Sequence, residues 1–166
     1  MNLSPVLETE RLRLFELSEH APGDTAFVLE MLNDPDFLRY IGDRGVHSLA
    51  QAVDYLRDGP VASYRLNGFG LYRVERREDG AAVGMCGLIK RPPLAHPDLG
   101  YALLPRFRGH GYVAEAARAV LAAARNRASP PCWRWWTRTM RPRSGPCRAW
   151  ISGTVKWSGW RRTTSN

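Results

Sequence analysis

Residues 106–111 read Arg-Phe-Arg-Gly-His-Gly, an Arg-x-x-Gly-x-Gly pattern between an apolar extended run at 99–104 and an alanine-rich helical run at 112–124. Glycines at a strand-to-helix turn let the backbone approach a ligand closely, because they have no Cβ. The first turn of the following helix leaves N–H donors without partners, and its dipole favours negative charge there. The turn therefore suits a phosphate or pyrophosphate, with Arg106 and Arg108 adding positive charge. A plain glycine-containing loop before a surface helix is the competing reading of the same residues. Two other phosphate motifs are excluded. No Lys-Ser/Thr pair follows the glycines, as a Walker loop requires. Gly109, Gly111 and Ala114 mimic the dinucleotide fingerprint, but no Asp or Glu occurs after Glu115 to hold a ribose.

The elements around this turn follow from periodicity. Residues 9–17 place Leu12, Leu14 and Leu17 among charged neighbours, as a half-buried strand does, although Phe15 breaks the alternation. Asp24 is a candidate cap for a helix carrying Phe27, Val28, Met31 and Leu32, which Asn33-Asp34-Pro35 ends. Ser48 is a second candidate cap, with Leu49, Val53 and Leu56 at helical spacing and Asp58-Gly59-Pro60 as the stop. Residues 69–76 and 82–90 read as strands joined by a Glu78-Asp79-Gly80 hairpin turn. Residues 99–104 form a fourth strand, stopped by Pro105. The helix at 112–124 turns Val113, Ala117, Val120, Leu121 and Ala124 inward. Strand, helix, helix, three strands and helix make an α+β sheet with helices packed on it.

The chain has 166 residues, enough for one domain with a core. No apolar run approaches the length of a membrane span, and no basic-then-apolar leader opens the chain. Cys86, Cys132 and Cys147 form no close-spaced pair and the histidines are scattered, which argues against a disulfide framework or a metal site. A cytoplasmic location is the default expectation. The net charge of +8 divides unevenly. Residues 1–126 hold 15 Lys and Arg against all 16 acids, whereas residues 127–166 hold 9 basic residues, no acid and all six tryptophans.

The chain resembles the GNAT acetyltransferases, and within them the RimJ/RimL-like branch of ribosomal-protein alanine acetyltransferases. The resemblance lies in the opening Leu7-Glu8-Thr9-Glu10-Arg11-Leu12-Arg13-Leu14, in the element order, and in the 106–111 turn followed by Tyr112-Val-Ala-Glu115-Ala. It covers about residues 5–126; Phe15 departs from it, standing where the branch often has Arg. It implies a mixed, mainly antiparallel sheet with helices on both faces, and transfer of an acetyl group from acetyl-CoA to an amine. That amine would belong to a protein N-terminus or a small molecule. Backbone amides around Arg108, Gly109, Gly111 and Tyr112 would hold the pyrophosphate, with Arg106 and His110 assisting. The strand at Leu103 and Leu104 would pair with pantetheine, and its free N–H groups would polarise the thioester carbonyl. Direct attack by the amine needs a base. Asp98, Glu10 and Glu16 are candidates, each also readable as a solvated carboxylate. Tyr101 is a candidate proton donor to the leaving thiolate, or else a packed strand aromatic. Cys86 reads as a small hydrophobe.

Residues 127–166 lack the fifth strand, helix and hairpin that the family carries, so the C-terminal strands are expected to be missing or aberrant and the tail disordered. A basic arm that stacks nucleic acid on its tryptophans is one reading. The genetic code offers another. Trp and Met have single codons, and shifting the frame from Cys132 onward permits Leu-Ala-x-Val-Asp, then Asn-x-x-Ser, which resembles the missing strand and helix start. This points to a one-base insertion or deletion near residues 125–127, to an exposed edge on the fourth strand, and to an acetyltransferase by descent whose activity is impaired or absent in this form, the alternative being a protein that binds acetyl-CoA without catalysis.

Overall fold

The computed structural model describes residues 4–91 and 97–127, the last of these by its backbone alone. The expected disorder, frameshift and nucleic-acid role of the tail fall on residues outside that range. The chain runs through β1 (Leu7–Glu8), β2 (Leu12–Glu16), α1 (Pro22–Leu32), α2 (Pro35–Tyr40) and α3 (Leu49–Leu56). A π-helical turn (Arg57–Val61) then leads into α4 (Ala62–Asn67). β3 (Leu71–Arg76), β4 (Ala82–Ile89), β5 (Asp98–Leu103), a 3₁₀ turn (Pro105–Phe107) and α5 (Tyr112–Arg127) follow. The strands form one sheet in the order β1-β2-β3-β4-β5, every pair antiparallel. The expected α+β architecture is therefore present.

Alternation sets which side chains the sheet buries. Leu12 and Leu14 of β2 are wholly buried, as are Val28 of α1, Ala52 and Leu56 of α3 and Val83 of β4. In β4 five successive residues, 83–87, are buried, so cover lies on both faces of the sheet there. Glycine is required within that strand. A Cβ on Gly84 would run into the carbonyl oxygen of Ala102 in β5, and one on Gly87 into that of Gly70 before β3. A bulge between Val74 and Glu75 absorbs a register shift against β4. The expected hairpin turn closes on Gly80 at φ +71°, with the Asp79 carboxylate accepting from Ala81 N at 3.1 Å.

Several local readings change. The expected strand at 9–17 is present as β2 but starts only at Leu12, because Thr9 and Leu12 bond to each other in a tight turn (Thr9 N to Leu12 O, 2.9 Å) that joins it to the short β1. Asp24 caps nothing. Ala21 stands at the cap position, and Asp24 is fully buried, accepting from Ser18 N at 2.8 Å and pairing with Arg73 of β3. Asp34 is the capping residue instead, accepting from Asp36 N and Phe37 N at the start of α2, a helix the periodicity did not reveal. Ser48 caps α3 as expected, but the buried positions are Ala52 and Leu56, and Leu49 is exposed. Asp58-Gly59-Pro60 does not stop the helix. The π turn there closes with Ala62 N–H to Arg57 O, and the helical path continues to Gly68 at φ +73°. In α5 the inward row is Tyr112, Ala116 and Val120, one position away from most of the residues expected.

Candidate functional site

β5 and α5 meet at the glycine turn. Leu104 N donates to Val83 O at 3.0 Å, and Phe107 N and Arg108 N turn back to Leu104 O and Pro105 O. Gly109 and Gly111 then adopt φ of +81° and +78°, a region that costs other residues a Cβ clash. The first hydrogen bond of α5 is Glu115 N to Gly111 O, at 3.2 Å. No described residue accepts from the backbone N–H groups of residues 109–114. A continuous row of donors therefore stands at the positive end of a helix, beside a turn that carries no Cβ at Gly109 or Gly111.

Beside this row, β5 is the edge of the sheet among the described residues. The Leu104–Val83 bond fixes the phase of the antiparallel ladder: Ala102 and Gly100 bond to β4, whereas the main-chain groups of Leu103, Tyr101 and Leu99 face the open side. Among the described residues the N–H of Leu103 thus faces the open side of the sheet. The N–H of Leu104 is not free, being spent on β4, and neither is that of Arg108, which closes the 3₁₀ turn.

The arginines also differ from expectation. Arg106 reaches away to Glu30 of α1 at 2.5 Å and lies over the Phe107 ring. Arg108 donates twice to Leu103 O (3.1 and 3.0 Å), once to Asp34 at 3.0 Å, and to Asp36. Both guanidinium groups are paired with carboxylates, so they tie the turn to α1 and α2 rather than standing free for an anion. His110 is exposed; its ring stacks on Tyr112 with centroids 5.5 Å apart, and its Nδ1 lies 3.3 Å from Phe107 O.

The remaining candidates lie along β5. Asp98 is its first residue and pairs with Arg91 at 3.2 Å. It stands about 17 Å from Leu103 at strand rise. Tyr101 is half-buried, and burial pushes its phenol above the ordinary value, with a smaller push from neighbouring Cys86. It borders an apolar cavity together with Phe37, Tyr55, Leu71, Met85 and Ala102. The Cys86 thiol is pushed up to about 12 by burial, which leaves it a core side chain. Glu10 and Glu16 enter no hydrogen bond with the turn. A residue that composition and periodicity did not single out is Glu115, whose carboxylate joins Thr9 and Arg11 to the head of α5. Both stretches stand out in the sequence as separate signals, and only their contact unites them.

Residues 11–141 match the family described as acetyltransferase (GNAT) domain, a match that runs past the composition break at Asn126. The uncharacterized protein YkkB of Bacillus subtilis (strain 168) is 30% identical over 123 residues, 73% of this chain and 69% of that protein. A putative GnaT-family acetyltransferase from Bordetella pertussis superposes with a TM-score of 0.60 at 25% identity, covering 75% of this chain and 74% of its own. An acetyltransferase from Agrobacterium tumefaciens str. C58 gives 0.56 at 25% identity, over 82% of this chain and 70% of its own.

Proposed function

The chain belongs to the acetyltransferase (GNAT) domain family and is by that family an acyltransferase; we propose that it moves an acetyl group from acetyl-CoA to a primary amine on a protein N-terminus or a small molecule. We assign it to the RimJ/RimL-like branch on the opening residues 7–14 and on the start of α5. The carrying observation is the row of unaccepted amides at 109–114, one 3₁₀ turn beyond the open edge of β5. Those donors fit a pyrophosphate, and the open strand edge fits the extended, amide-bearing pantetheine arm.

When bound, acetyl-CoA supplies an activated acyl carbon. The amides of residues 109–112 hold its phosphates through charged hydrogen bonds, each contributing about 1.5–3 kcal/mol. The N–H of Leu103, on the open side of β5, would be the donor that stabilises negative charge developing on the thioester carbonyl oxygen. Tyr101, kept protonated by burial, gives a proton to the departing thiolate. Asp98, five strand steps from Leu103 and paired with Arg91, is out of reach of the attacking amine, whose proton passes to solvent. The chemistry needs no Ser or Cys nucleophile.

Thermal unfolding with and without acetyl-CoA tests the reading. At a ligand concentration 100 times the dissociation constant, stability rises by about 2.7 kcal/mol. A cooperative melt that acetyl-CoA leaves unmoved refutes the coenzyme site. Release of free coenzyme A thiol in the presence of candidate amines then identifies the acceptor.

A further inference from the structure

Glu115 sits in the first turn of α5, yet its carboxylate belongs as much to the β1–β2 turn. Its Oε1 accepts from the Thr9 hydroxyl at 2.6 Å and from Arg11 N at 3.0 Å. Its Oε2 accepts from Arg11 Nε at 2.7 Å and pairs with Arg11 Nη2 at 2.6 Å. The third guanidinium nitrogen of Arg11 donates to His110 O at 3.0 Å, and the group lies 4.9 Å from the centroid of the Tyr112 ring. One arginine therefore holds the helix through its carboxylate and the glycine turn through its backbone.

The geometry of a peptide unit gives that contact a consequence. In a planar trans peptide the C=O and the next N–H point in opposite directions. With His110 O drawn to Arg11, the N–H of Gly111 is aimed away from Arg11, on the side where no described residue accepts it. Glycine on either side of His110 leaves the turn little stiffness of its own. The same pairing has an electrostatic effect. An uncompensated carboxylate in the first helical turn would repel an incoming phosphate, and Arg11 neutralises it. Burial pushes the Glu115 carboxyl up, but the hydrogen bonds from Thr9 and Arg11 outweigh this and hold it below its ordinary value.

We propose that Arg11, Thr9 and Glu115 are positioning residues that aim the amides of the 109–112 turn at the coenzyme pyrophosphate. The proposal rests on the coenzyme-site reading above and touches no reacting atom. It gives a physical role to the opening Thr-x-Arg: the turn before β2 supports the phosphate turn of α5.

The test measures binding of coenzyme A, and of pantetheine, which lacks the pyrophosphate, to the full chain and its variants. Arg11→Lys keeps the charge but loses the fork that reaches Glu115 and His110 together. It is expected to raise the Kd for coenzyme A by about tenfold, with pantetheine binding unchanged. Thr9→Val should act in the same direction, and Thr9→Ser, which retains the hydroxyl, should restore wild-type binding. If Arg11→Lys fails to melt cooperatively, the Thr9 pair decides. Wild-type coenzyme A affinity in both Arg11→Lys and Thr9→Val overturns the proposal. Equal weakening of coenzyme A and pantetheine also overturns it, because that pattern reports general loosening. A wild-type chain that binds neither compound refutes the coenzyme-site reading itself, which separates the two failures.

Discussion

Arg108→Met separates two roles for the arginine in the glycine turn. The variant keeps most of the stem and removes the guanidinium. The ion pair with Asp36, whose side chain is 46% exposed, contributes at most about 1 kcal/mol. Asp34 is 8% exposed and retains two backbone donors, so loss of its cation costs about 1 kcal/mol. Leu103 O loses both of its guanidinium donors, for about 1 kcal/mol more. The sum is about 2–3 kcal/mol, or a fall in Tm of about 5–10 °C at this chain length. Denaturant unfolding gives the first figure and a thermal melt the second. Coenzyme A binding to the folded variant should weaken modestly and keep the salt dependence of wild type, since Arg108 is spent on carboxylates. A variant within about 0.5 kcal/mol of wild type that binds coenzyme A tenfold more weakly would refute the argument and return Arg108 to the phosphates.

Gly109→Ala places a Cβ in open space at φ +81°, so its cost is backbone strain of about 1–2 kcal/mol, read by denaturant unfolding; an unchanged midpoint contradicts the left-handed turn. The Arg76 hydrogen bond and Ala81 N hold the Asp79 carboxyl down at about 2, against an ordinary 3.8. Its folded value is depressed, so its contribution to stability is present above pH 3.8 and is lost as pH falls through about 2. An NMR titration of that carboxyl with a midpoint near its ordinary value would show the hairpin pair to be absent. Cys86, with its thiol pushed up to about 12, should resist a thiol reagent at pH 8 in a Cys132→Ser/Cys147→Ser variant until denaturant is added. Rapid reaction of the native protein would contradict the packing of β4.

The glycine turn, the β3–β4 hairpin and the α5 helix were legible because their signals are local. Two glycines close to a strand end, or Asp-Gly between apolar runs, determine backbone conformation within a few residues. Asp24 was misread because the same residue type serves as a cap or as a buried ion-pair partner, and only Arg73 on a distant strand chooses between them. Pro60 was misread because a proline stops a regular α-helix but fits a widened π turn, whose form depends on what packs around it.

By itself the sequence determined an antiparallel α+β domain in which a glycine turn joins a strand to a helix. Those properties follow from side-chain periodicity and glycine stereochemistry, which act within a few residues. Only the tertiary structure decided where the charges went. It drew Arg106 and Arg108 onto carboxylates of α1 and α2, and it brought Arg11 and Thr9 to Glu115. Long side chains take whichever partner the packing of distant elements presents, and hydrogen-bond energy falls away within an ångström. No spacing along the chain encodes that choice.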